Sequence, residues 1–339
     1  MSLTTFLRSR DIEFSLRRYG IDALNYMTLG LFGSLVIGLI LKTVGGWTGQ
    51  DWLIDTGSMA QQAMGAAIGV GVAYGLKGPP IVIFASAAIG LLGAKLGGPV
   101  GCFVAVAVAT EAGKLVHRTT PIDIIVTPAT ALVGGFLTAH ALAPLIGNVL
   151  AVTGQSIEWA MTLQPLLMSV LLAVAMGMIL TGPTSSAALA ISLQLGGLAG
   201  GAATVGGAAQ MIGFAVMGWR ENGVSGLLSQ GLGTSMLQLP NIVRNPRIWI
   251  PPTLAGAVLG PVATLGFGMQ NVPTGSGMGT SGLVGQVGTL AAMGNGASVW
   301  WSIGLLHFLL PALLTLLFAW PLRRLGWIGP GDLKIDSKG

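Results

Sequence analysis

The stretch PPIVIFASAAIGLLGAKLGGPVGCFVAVAVATEAGKLV, residues 79–116, decides the fold. It holds two apolar runs, 79–94 and 99–116, each near the roughly 20 residues that carry a helix across a bilayer. Between them Lys95-Leu96-Gly97-Gly98-Pro99 interrupts the pattern, and proline cannot continue a helix. The stretch therefore reads as two consecutive membrane helices.

The same pattern continues on both sides. Apolar runs at 21–44 and 57–76 precede it, and runs at 122–146, 160–181, 183–200, 202–219, 250–270 and 299–320 follow it, about ten spans in all. Of the 339 residues, 52% are hydrophobic and 8% charged, where soluble domains carry roughly 25% charged residues. Water cannot solvate such a surface, and no polar stretch is long enough for a separate soluble domain. The expectation is an all-α polytopic membrane protein: an interfacial segment at 1–20, a membrane domain at 21–321 and a tail at 322–339.

Basic residues test the count, because cytoplasmic loops are enriched in Lys and Arg. With the N-terminus inside and the spans alternating, Arg8, Arg10, Arg17, Arg18, Lys77, Lys114, Arg118, Arg220, Arg244, Arg247, Arg323, Arg324, Lys334 and Lys338 fall on the cytoplasmic side. Lys42 and Lys95 fall outside, with Asp51, Asp55 and Glu158. Both termini are thus expected in the cytoplasm, in an inner (cytoplasmic) membrane. Residues 1–19 mix charges with apolar groups and lack the apolar core of a cleavable signal. Two stretches, 222–240 and 272–294, are too broken by glycine and proline for plain spans and read as re-entrant.

A weak internal repeat runs through the chain. Gly78-Pro79-Pro80 returns as Gly182-Pro183-Thr184, Glu111-Ala112-Gly113 as Glu221-Asn222-Gly223, and Pro128-Ala129-Thr130 as Pro252-Thr253-Leu254. This suggests two copies in the same orientation, at about 57–146 and 160–270, as in parallel-repeat transporters. The 54 glycines have no collagen-like period; they suit close helix approach and broken helices, which survive at bilayer depth only against protein or an aqueous cavity. Cys102 is the single cysteine, so an intrachain disulfide and a cysteine metal cage are excluded. The net charge of +5 comes from residues flanking the spans and implies orientation, with no nucleic-acid partner.

Ionisable groups within spans are costly and often functional. Glu111, Lys114 and His117 share roughly one helix face. Glu111 either pairs with Lys114 or accepts a hydrogen bond or proton from a solute. His140 and His307 sit mid-span, where each could bond a hydroxyl-bearing ligand or a backbone carbonyl. The uncharged polar groups are more informative. Thr181, Thr184, Ser185 and Ser186 surround the Gly182-Pro183 break, with Gln194 beyond, and the loop 271–282 carries Asn271, Thr274 and Ser276. Helix breaks free backbone groups that can hold a polar solute. Gln238 and Asn241 could gate or bind in the same way. The 271–282 loop lacks the Gly-Lys-Ser ending of a nucleotide cradle. No metal and no cofactor is expected, and the pairs of groups that intramembrane catalysis needs are missing.

Several motifs carry a resemblance: Arg18-Tyr19-Gly20-Ile21-Asp22-Ala23-Leu24, Leu29-Gly30-Leu31-Phe32-Gly33-Ser34-Leu35, the stretch from Gly233-Thr234-Ser235 to Asn245-Pro246, Gly277-Met278-Gly279-Thr280-Ser281-Gly282 and Gly329-Pro330-Gly331-Asp332-Leu333-Lys334. The chain resembles the EIIC-type-2 membrane proteins, a family that is similar to sugar-translocating EIIC subunits of the phosphotransferase system and that includes perfringolysin regulator-like proteins. The resemblance implies a permease for a small polar solute, a sugar or related compound, embedded in membrane lipid as a homodimer. These residues contain no phosphorylated His or Cys domain, so any phosphotransfer is expected from separate cytosolic phosphotransferase proteins and not from this chain alone. A membrane sensor that binds a solute and signals to a cytoplasmic partner is the second reading.

Overall fold

The computed structural model describes residues 3–15, 17–182 and 185–335. The described residues are helical and loop segments with no strand; one isolated bridge pairs Gly197 with Asn271. The chain divides into two compact units, Met1–Thr153 and Gly154–Gly339. Six helices are long and apolar enough to cross a membrane, and Met64–Gly75 and Pro165–Thr181 are shorter apolar helices.

The first unit is an antiparallel succession. After the short α1 (Leu3–Ser9), the long α2 (Arg18–Thr48) includes two π-helical turns and stops at Gly49, whose φ of 67° needs a residue without Cβ. The return stroke was expected as one span at 57–76. It is instead two helices, α3 (Asp51–Gln62) and α4 (Met64–Gly75), joined at Ala63, where ψ opens to 0°. Gly38 faces Gly57, Gly30 faces Ala67 and Gly71 faces Tyr26, so both pieces run antiparallel to α2 at backbone-to-backbone range. Van der Waals packing and not water expulsion drives such contacts in lipid, which is why small residues line them.

The deciding stretch folds as α5 (Pro80–Val116). A straight helix of this length would measure about 55 Å, well beyond a hydrocarbon core of about 30 Å. It does not run straight: Gly97 and Gly98 leave helical geometry, Gly98 at φ 63°, and Pro99 starts the second arm. Gly93 then lies beside Cys102 and Val82 beside Gly113, which makes the two arms an antiparallel pair, as the two apolar runs require. Gly65 and Gly69 pack α4 against the first arm at Gly90 and Ser86. Ile68, Val72, Ile89 and Val106 are fully buried in this core.

The next helix, α6 (Asp123–Leu163), lies along the second arm, with Ala131 near Gly113 and Ala143 near Gly101. Its span was expected to end at 146, with a loop to 159. The helix continues through that stretch, past the boundary of the units, because nothing there breaks it: Asn148, Gln155 and Glu158 are isolated polar positions in an otherwise helix-compatible run.

In the second unit Gln164, at φ −136°, ends α6, and Pro165 opens α7 (Pro165–Thr181). The expected span 183–200 is not continuous. It contains α8 (Ser186–Ser192), seven residues long, and then a break in which Gln194 and Gly197 both take positive φ, 52° each. The central α9 (Gly197–Met217) follows, almost wholly buried, its glycines meeting neighbours on several sides: Gly201 on Met269, Gly206 on Ala173, Gly207 on Gly279 and Gly213 on Thr315. Segment 222–240 is broken as expected: α10 (Trp219–Leu228) is itself interrupted at Gly223, and π and 3-10 turns lead to α11 (Leu239–Arg244). The spans α12 (Pro246–Gly266) and α15 (Ala297–Arg324) flank segment 272–294, which forms α13 (Pro273–Ser276), a turn with Gly279, Gly282 and Leu283 at positive φ, and α14 (Val284–Met293).

Candidate functional site

Three helix breaks far apart in sequence meet beside α9. Ser186 Oγ donates to the Gly277 carbonyl at 2.6 Å, Thr280 Oγ1 to the Gly231 carbonyl at 2.6 Å, and Ser281 Oγ to the Gly233 carbonyl at 2.8 Å. Each bond satisfies a carbonyl that the interrupted helices leave without an intrahelical partner. Glycine permits the approach: Gly279, at φ 53°, lies against the backbone of Gly207, where a Cβ would clash.

Around this junction the buried polar side chains are uncharged. Asn271 holds the loop: its Nδ2 reaches Thr204 Oγ1 at 2.6 Å, the Gly285 carbonyl at 2.8 Å and Thr289 Oγ1 at 3.2 Å, while its Oδ1 accepts from Val272 N at 2.7 Å. A second cluster joins Thr181 Oγ1 to Ser235 Oγ at 2.8 Å and Gln210 to Thr253 and Trp249 at 3.0 Å each. Below the loop Gln286 Nε2 lies 3.0 Å from His307 Nδ1, both residues buried in the core. Its Oε1 is buried with no hydrogen-bond partner among the described residues. A carbonyl oxygen in that condition costs about 1–3 kcal/mol unless a donor arrives.

The other candidates divide between these clusters and simpler roles. Ser185 caps α8, accepting from Ala188 N at 3.2 Å, and Ser276 is buried with its hydroxyl on the Pro273 carbonyl. Thr274 is half-buried on α13, while Thr184 and Pro183 lie outside the described residues. Gln194 is exposed and bonds the Ile191 carbonyl. Gln238 and Asn241 clamp the tail: their amides donate to the Leu333 and Lys334 carbonyls at 2.9 Å each, and Gln238 also reaches Gln230. Asn222 and Asn245 complete the clamp through Leu333, Ile335, Trp327 and Asp332.

Glu111 and His140 belong to the first unit. Glu111 pairs with Lys114 at 3.2 Å, as their spacing allows, and accepts from Tyr19 Oη at 2.9 Å. Arg18 makes a two-pronged contact with Asp11 at 2.7 and 3.1 Å and caps the Leu76 carbonyl at 3.1 Å. The guanidinium hydrogen bond holds the Asp11 carboxyl below the usual range. His140 Nδ1 bonds the Phe136 carbonyl at 2.8 Å from an exposed position.

Gln286 was not singled out from sequence. It lies in the run Val284–Met293, where a lone glutamine looks like the polar edge of a helix, and only the fold shows it buried against His307.

Apolar helices packed on small residues, with interrupted segments held by hydroxyls and amides, define a polytopic membrane protein. The chain belongs to the family described as Phosphotransferase system, EIIC, whose model matches residues 21–335. It is accordingly a multi-pass membrane protein and a permease component of sugar transport. No curated protein matches it.

Proposed function

We propose that this permease binds a sugar, or a compound with sugar-like hydroxyls, at the junction of broken segments in the second unit, and hands it to separate cytosolic phosphotransferase proteins. The observation that carries the reading is Gln286 Oε1, a buried acceptor without a donor among the described residues, beneath a loop held by neutral hydroxyls and amides. A sugar hydroxyl supplies the missing donor, with Thr274 and Ser276 on the same loop and Ser185 at the start of α8 as further neutral partners. The arrangement suits an uncharged polyhydroxy solute because none of these groups presents a charge to be neutralised. The distribution of Lys and Arg supports cytoplasmic termini, which puts the tail clamp on the side where such partner proteins act.

Purified protein in proteoliposomes, loaded with a panel of labelled sugars and polyols with and without cytosolic phosphotransferase proteins, tests the reading. Uptake or binding of at least one member is expected, and Gln286→Leu should weaken it by about tenfold, one hydrogen bond's worth, at unchanged folded yield. Failure across the panel, or unchanged affinity in the variant, refutes the assignment. The sensor reading has no specific contact in its favour.

A further inference from the structure

At the end of the first unit where α2 and α5 begin, a cavity of about 420 Å³ is walled by Arg10, Asp11, Lys77, Lys114, His117 and Arg118. Four of these are fixed cations, and the one carboxylate, Asp11, is engaged by Arg18. Lys114 is buried, its ammonium on Glu111 and the Asp11 carbonyl.

The backbone adds an independent observation. Among the described residues five non-glycine positions have positive φ, and three of them, Asp11 (54°), Lys77 (58°) and Arg118 (57°), line this one cavity. Lys77 and Arg118 each stand just past a helix C-terminus, the position where glycine normally relieves the left-handed turn. Glycine would serve these turns at less cost, so lysine and arginine are not there for the sake of the backbone. The main chain does the capping at these turns: Lys77 N and Gly78 N return to the Tyr74 and Ala73 carbonyls, Asp11 N and Ile12 N to Arg8 and Leu7, and Thr119 N to Val116, so the Lys77 and Arg118 side chains are not needed for it. The Leu76 carbonyl is taken by Arg18 and the His117 carbonyl by Arg10 at 2.7 Å. Neither Lys77 nor Arg118 has a salt-bridge partner among the described residues.

We infer that this cavity binds a phosphate group, held by Lys77, Arg118 and Arg10 over the buried Lys114. Phosphate fits better than a carboxylate because it brings up to two charges and several acceptor oxygens to several donors, and an arginine fork and lysine point charges are suited to it. The phosphate is either a lipid headgroup or a free ion. This site lies wholly in the first unit, so its failure leaves the sugar reading standing, and the converse holds too.

The test uses the full chain in neutral detergent, titrated separately with inorganic phosphate, with short-chain phosphatidic acid and with succinate at matched ionic strength, and read by thermal unfolding and native mass spectrometry. Saturable binding of phosphate, of phosphatidic acid or of both is expected, weakening as salt rises. Binding of phosphatidic acid alone identifies a headgroup as the source, and binding of inorganic phosphate identifies the free ion. The double variant Lys77→Gly, Arg118→Gly relieves both left-handed positions, so it should unfold no earlier than the wild type while binding at least about tenfold more weakly. Lys77→Asn with Arg118→Asn, also tolerant of that backbone, provides the same comparison if the glycine pair folds poorly. Wild-type protein that binds neither phosphate probe, succinate bound as tightly as they are, or a folded variant with unchanged affinity overturns the inference.

Discussion

The two units treat polarity in opposite ways. In the first, Arg18, Asp11, Glu111 and Lys114 form a charged cluster at the ends of helices, where the N-terminal segment meets the Leu76 and His117 carbonyls. In the second, Thr181, Thr204, Gln210, Asn271 and Gln286 are neutral and sit beside the middle of a buried helix. Physical cost separates them: removing an ion from water costs several kcal/mol even after relaxation, whereas a paired amide or hydroxyl is close to neutral. Even so, the buried Arg18 and Lys114 each keep an opposite charge in contact, Asp11 and Glu111. A neutral cluster can trade one hydrogen bond for another without baring a charge.

The sharpest way to break this contrast is to wedge the neutral core open. Gly206 lies against the Ala173 carbonyl, so Gly206→Val must separate α9 from α7 and is expected to cost about 3 kcal/mol or more. Detergent-extracted variant should aggregate on size exclusion; a monodisperse peak at wild-type yield would show that the helices are not in close contact. Next in size, Asn271→Leu removes the amide that bridges Thr204, Thr289 and the Gly285 carbonyl and leaves Val272 N–H without its acceptor, and it should cost about 2–3 kcal/mol in denaturant unfolding. An unchanged midpoint would mean that the loop is not held from this residue.

The smallest effect belongs to the charged unit. The Asp11 carboxyl titrates below its usual value, so its contribution is present above the unfolded pKa near 3.8 and is lost as pH falls through the lower folded one. The pair is half-exposed on the Asp11 side, and less than about 1 kcal/mol is expected from it. Protection factors of residues 3–15, corrected for the intrinsic slowing of amide exchange in acid, should fall on acidification below about pH 4, while Asp11→Asn should already be lower at neutral pH and show no such step. Identical profiles would remove Asp11 as the anchor.

Much of the helical layout is legible in the sequence because each apolar run is long and its punctuation strong: Gly97-Gly98-Pro99 divides α5 where the two runs separate. The reading fails where punctuation is weak or deceptive. Residues 183–200 are apolar enough to look continuous, yet the left-handed Gln194 interrupts them, and no local rule assigns that conformation to glutamine. Residues 147–159 fall outside the apolar runs that mark the spans, yet they extend a helix. The site was legible as residue types, hydroxyls and amides beside Gly and Pro, and not as partnerships. Gln238 and Asn241 find theirs more than ninety positions downstream, a contact that only tertiary structure creates.

That clamp has a mechanical consequence. With Leu333 to Ile335 tied to Asn222, Gln238 and Asn241, and Trp327 and Asp332 tied to Asn245, the end of α15 and the segment from α10 to α11 are cross-braced. A displacement of either piece is therefore passed directly to the other, so the two must move together.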